Sequence, residues 1–167
     1  MSTVSNLSDL YIEELKDLWS ANDQMVRALK KMAPKATNPK LSKMLESSQK
    51  GISGHTDLLK ALIANQGEKV SKEHCKGVEG LVSEALKHTV EDGPDKGPVP
   101  DAAIIAQYQR MTHYGITGFG TVAAFAKALK FEDDNTQLRA AVKAMYLADE
   151  LMTELADAAV NKDAVDQ

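Results

Sequence analysis

The chain has 167 residues, of which 26% are charged and 5% aromatic, with a formal net charge of −4. That length suits one domain able to bury its own core. The mild acidity excludes the basic footprint of a nucleic-acid binder, and the single cysteine, Cys75, excludes an intramolecular disulfide or a thiolate zinc cluster. Ala, Leu, Lys, Glu and Met are plentiful, which favours packed helices over sheets. Met1 to Asp9 shows no basic stretch followed by an apolar run, and no apolar segment approaches the roughly 20 residues of a membrane span. The expectation is a soluble cytoplasmic protein with no membrane or nucleic-acid partner.

A first helix is expected from just after Ser5 or Asn6, both good N-caps, to about Ala33, where Pro34 stops it. Its inward line reads Tyr11, Leu15, Leu18, Asn22, Met25, Leu29 and Met32, an apolar seam broken once by Asn22. Asn38-Pro39 opens a second helix that runs to about Gln66 and ends at Gly67. Leu41, Leu45, Ile52, Leu59 and Leu62 form its apolar face, with Ser48 and His55 on the same side. Gly51 and Gly54 lie inside this helix, each costing about 1 kcal/mol relative to Ala. Close helix–helix approach is the leading reading of that pair, and space left for a ligand the alternative.

Residues 68–101 form a crossover that carries a shorter helix, about Lys72 to Glu91, followed by a loop rich in Gly and Pro. Its apolar side is Val78, Leu81, Val82, Ala85 and Leu86. A third long helix is expected from near Asp101 to about Lys130, and a fourth from after Asp134 or Asn135 to about Val160. The polar tail from Asn161 is expected to fray. Short loops make antiparallel neighbours, while the long crossover lets the second and third long helices run parallel. The fold expected is all-α: a single ferritin-like antiparallel four-helix bundle over residues 1–167, with its core at about 7–160 and an extra short helix in the crossover.

Di-metal bundles of this kind need carboxylates from two helices and a Glu-x-x-His pair from each of the other two. No Glu-x-x-His occurs in the chain. The inward residues expected at mid-bundle depth are Asn22, Ser48, Ile52, Thr112, Gly115 and Met145, all neutral. His55 reads first as a hydrogen-bonded core or boundary histidine, and His113 as a surface or supporting group beside Tyr114. His74-Cys75 lacks further soft ligands, so Cys75 reads as a small buried hydrophobe. Glu13, Glu14, Glu46, Asp149 and Glu150 read mostly as helix-surface charges, with Asp149-Glu150 the best remaining acidic pair. Met25, Met32, Met44, Met111, Met145 and Met152 read as core filler.

Several segments resemble the YciE/YciF family of bacterial ferritin-like stress proteins, a family without an established biochemical activity. Asp17 to Gln24 is similar to the family's first-helix motif, Cys75 to Leu81 to its crossover motif, and Asp101 to Ala106, Thr112 to Ile116 and Asp149 to Ala156 to its later helices. The resemblance spans residues 7–158. It places the family's metal positions on Asn22, on Lys50 and Ser53, on Thr112 and Gly115, and on Ala144 and Met145, none of them a carboxylate. It therefore implies a structural or interaction protein of stress-response type, with no catalytic, cofactor or metal residues and no cofactor. It also implies a homodimer pairing through the outer sides of the first two helices, with Trp19 one anchor. The alternative is an iron- or manganese-binding protein with a displaced set such as Glu46, His113 and Glu150. A third possibility is a small-molecule carrier with a pocket beside Gly51, Gly54 and Gly115.

Overall fold

The computed structural model describes residues 4–70, 74–93 and 96–165. Among these, four long helices form the bundle and no strand occurs. Helix α1 (Leu7–Met32) opens where the Asn6 side chain accepts the Asp9 N–H at 3.0 Å, and passes into a short 3₁₀ turn at Ala33–Lys35. Helix α2 (Pro39–Asn65) opens where Asn38 accepts from the N–H groups of Lys40 and Leu41. Gly67, at φ +77°, turns the chain away at its end. The crossover helix α3 (Lys76–Leu86) continues through a π-helical turn, Lys87–Glu91. Helix α4 (Pro98–Ala128) and helix α5 (Glu132–Leu155) complete the bundle, with a π-helical turn at Ala156–Val160 and a last helical turn α6 (Asn161–Val165).

The differences from the sequence expectation lie at ends that depend on distant partners. The expected start of the crossover helix at Lys72 lies outside the described residues, and the helix begins at Lys76. Helix α4 starts three residues before Asp101, because Pro suits a first helical turn and Gly97 turns the chain at φ +118°. Helix α5 starts at Glu132, which puts Asp134 inside its first turn instead of at its cap. The tail is helical through Val165 where fraying was expected from Asn161.

Buried carboxylates explain two of these starts. Asp101 is 2% exposed and accepts three hydrogen bonds from the α1–α2 connection: Thr37 N–H at 2.7 Å, Thr37 Oγ1 at 2.7 Å and Asn38 N–H at 2.8 Å. At the opposite end Asp134 accepts the Tyr11 hydroxyl at 2.9 Å. Each carboxylate sits in the first turn of its helix, where the dipole favours negative charge.

α1 packs against α2 and α4, α4 against α5, and α3 lies across α1 and α4; of the neighbouring long pairs, α2 and α5 touch least. The close approach assigned to Gly51 and Gly54 is made elsewhere. Both are exposed, and a Cβ added at either would meet nothing within 4 Å. Gly118 is the glycine that α1 demands, since a Cβ there would run into the buried Leu18 side chain.

Three substitutions test this packing by denaturant unfolding. Gly51→Ala and Gly54→Ala each raise stability by up to about 1 kcal/mol, because exposed helical Gly gains propensity without a clash. Gly118→Ala lowers it by about 1–3 kcal/mol, the usual effect of overpacking a filled core. Asp101→Ala strands three donors of the α1–α2 connection and lowers stability by about 2–4 kcal/mol.

Candidate functional site

The apolar core is divided in two. One cluster holds Met25, Leu29, Leu41, Leu45 and Met111 with residues of the crossover, and the other holds Leu15, Leu18, Leu59, Phe119 and Leu138. Between them lies a cavity of about 30 Å³ at mid-bundle depth. Its wall takes Asn22 from α1, Ile52 and His55 from α2, Thr112 and Gly115 from α4, and Met145 from α5. Five of the six residues expected at this depth are therefore in place. The sixth, Ser48, instead bonds the Tyr108 hydroxyl at 2.9 Å, and Tyr108 itself lines the cavity.

The resemblance placed the α2 metal positions on Lys50 and Ser53, and both are exposed. The pair at i, i+3 spacing that lines the cavity is Ile52 and His55, two residues further along. Ala144 is likewise exposed, and Met145 is the α5 residue that points inward. Lys50 and Ser53 thus stand outside the wall, to which α2 contributes Ile52 and one imidazole, and still no carboxylate. The helical spacing already puts Ile52 and His55 on the apolar side of α2, and only the pair carried over from the resemblance falls on the exposed side.

His55 is half-buried, and its ring lies against Phe119 with centroids 5.5 Å apart. Burial pushes its pKa down. Of the hydrogen-bonded core or boundary histidine expected from sequence, the boundary position is found, while His55 Nδ1 has no partner among the described residues. Asn22 Nδ2, on the same cavity wall, also has none. A di-metal centre does not fit these residues: the wall offers one imidazole, thioethers and neutral polar groups where two cations would need compensating carboxylates.

Nor does a displaced set assemble. Glu46, Glu150 and His113 are all exposed, and His113 Nε2 pairs with Asp149 at 2.9 Å on the α4–α5 surface. No group of three or more His, Cys, Asp or Glu able to hold a metal ion occurs among the described residues. Gly115 lines the cavity, whereas Gly51 and Gly54 lie outside it.

The α1 segment Asp17 to Gln24 has a different task. Ser20 Oγ accepts the Cys75 N–H at 3.0 Å, and Gln24 Nε2 donates to the Cys75 carbonyl at 3.1 Å. Tyr114 donates its hydroxyl to Asp17 at 3.3 Å and lies 3.0 Å from Cys75 Sγ. These contacts dock the start of the crossover onto α1 and α4. Cys75 is 2% exposed and burial pushes its thiol up, so it is the buried hydrophobe expected and not a nucleophile.

The buried imidazole makes a pH prediction. Its folded pKa lies below the ordinary 6.5, so as pH falls the unfolded chain takes up the proton first. The contribution of neutral His55 to stability is full above pH 6.5 and is lost as pH falls toward the folded value. Unfolding free energies measured from about pH 7.5 to 5.5 will fall less steeply for His55→Leu than for the native chain. Identical slopes would show that His55 is not the group responsible.

A family model described as a domain of unknown function, DUF892, matches residues 6–165. The protein YciF of Escherichia coli K12 is 31% identical over 162 residues, 96% of each chain. The crystal structure of the E. coli stress protein YciF matches with a TM-score of 0.87 at 31% identity, over 95% of this chain and 99% of that one. YcfI from Rhodopseudomonas palustris, described as a candidate structural protein, matches with a TM-score of 0.83 at 30% identity, over 91% and 96%. Across almost its whole length, therefore, this chain belongs to the DUF892 family, the family of YciF.

Proposed function

We propose that this chain is a ferritin-like structural or interaction protein of the bacterial stress response, cytoplasmic and homodimeric, in which the di-metal carboxylate site has been lost. The observation that carries the reading is the neutral wall of the mid-bundle cavity: Asn22, Ile52, Thr112, Gly115 and Met145 stand where cations would need carboxylates. With no ligand set, the redox chemistry of a di-metal bundle has no parts here, and what remains is a helical surface. The descriptions of YciF as a stress protein and of YcfI as a candidate structural protein support the same reading. Of the exposed large apolar side chains on the long helices among the described residues, Val99 stands at the start of α4, and Tyr146, Leu147 and Leu151 cluster on α5. They offer a contact surface besides the outer sides of α1 and α2, where Trp19 is half-buried.

Elemental analysis after reconstitution with iron, manganese and zinc tests the loss. Each metal is expected well below one equivalent after desalting, and one or two retained equivalents would refute the reading. Light scattering at micromolar concentration tests the pairing: the expected mass is twice 18.1 kDa, and a monomer would remove the dimer from the proposal.

A further inference from the structure

The mid-bundle cavity combines a size with an unmet chemistry. At about 30 Å³ it has room for one water-sized molecule and little more. Asn22 and His55 both line it, and one buried nitrogen of each, Asn22 Nδ2 and His55 Nδ1, finds no partner among the described residues. Asn22 is only 2% exposed, so its amide cannot reach bulk water from where it stands. Buried polar groups in folded proteins are almost always partnered, and two orphans on one small cavity share one explanation.

We propose that the cavity is a binding site for a single neutral hydroxylic molecule of water size, water being the resident ligand, bridging Asn22 on α1 and His55 on α2. The Asn22 amide donates to the ligand oxygen. The ligand O–H donates to His55 Nδ1, which offers its lone pair when the ring proton sits on Nε2. The Thr112 hydroxyl, on α4, supplies a third polar group to the wall. The remaining wall is thioether and apolar, from Met25, Met111 and Met145 among others. A cation would face the amide hydrogens with no carboxylate to compensate it, an anion would find no lysine or arginine, and an apolar solute would leave both nitrogens unpartnered. One hydroxyl group satisfies both.

This inference rests on the proposed loss of the di-metal centre, which would claim the same space, and the experiments separate the two. A crystal structure at about 1.2 Å resolution, where single ordered waters are resolved, with anomalous data, is expected to show one oxygen-sized peak within hydrogen-bond distance of Asn22 Nδ2 and His55 Nδ1. An anomalous peak there would overturn the proposed function, and with it this inference. A featureless cavity with no anomalous signal would overturn the inference alone. In solution, Asn22→Val removes the donor with a smaller gain in side-chain volume than Leu would bring. With a bridging water the variant loses its ligand's anchor, so Tm falls by about 2–4 °C and the His55 ring nitrogen resonances shift. If the cavity is dry, the same change relieves an orphaned amide and Tm rises, which refutes the proposal.

Discussion

A helical bundle can bury a charge only where the charge is fully compensated, and that constraint decides where the acidic groups of this chain lie. The buried carboxylates, Asp101 and Asp134, lie at opposite ends of the bundle, each in the first turn of a helix and each hydrogen-bonded. Asp101 holds the connection between α1 and α2 against the start of α4. Asp134 holds the start of α1 against the start of α5. Charge thus serves as a fastening for the chain ends, and the middle of the bundle is left to neutral side chains. A metal centre would reverse that distribution, since it needs its carboxylates at the middle.

The separation also explains how the architecture of the YciF family can persist with a neutral centre. The α1 residues that carry the resemblance divide by direction. Asn22 points into the cavity, whereas Ser20 and Gln24 grip the backbone of Cys75 and Asp17 accepts the Tyr114 hydroxyl. The crossover is therefore docked by contacts independent of what occupies the bundle axis. Gly77 belongs to the same contact, because an added Cβ there would meet Tyr114 Oη at 3.0 Å. Fold and central chemistry are held by different residues of one motif.

Much of this was legible in the sequence, and the boundary has a physical cause. Helix starts at Asn6 and Asn38 and the stop at Gly67 were readable because caps and left-handed turns are local events, set within four residues. The neutrality of the centre was readable too, because heptad spacing reports which residues share a depth. Facing is harder. Gly51 and Gly54 looked like contact glycines, but which glycine meets a neighbouring helix depends on rotation about the axis, and Gly77, Gly115 and Gly118 are ones that do. On α2 the spacing put Ile52 and His55 on the inward side, and only Lys50 and Ser53, carried over from the resemblance, fell on the exposed one. Asp134 was read as a cap because its partner Tyr11 lies 123 residues away in sequence.

The cavity raises a last question of packing, namely why its walls do not close. Adding a methyl group at Gly115 would bring it to 3.1 Å from Met145 Sδ, so the α4 side is already filled by a thioether from α5. Met145 and Met25 are unbranched and adjust to irregular space, which suits a wall whose opposite face is polar. Closing the gap from α1 or α2 would press apolar atoms onto the Asn22 amide or the His55 ring nitrogen, leaving them as unpartnered as before. Flexible sulfur on one side and fixed polar groups on the other hold the gap at the size of one small molecule. The seam between the two core clusters is therefore kept open by its own chemistry, and a missing side chain is not needed to explain it.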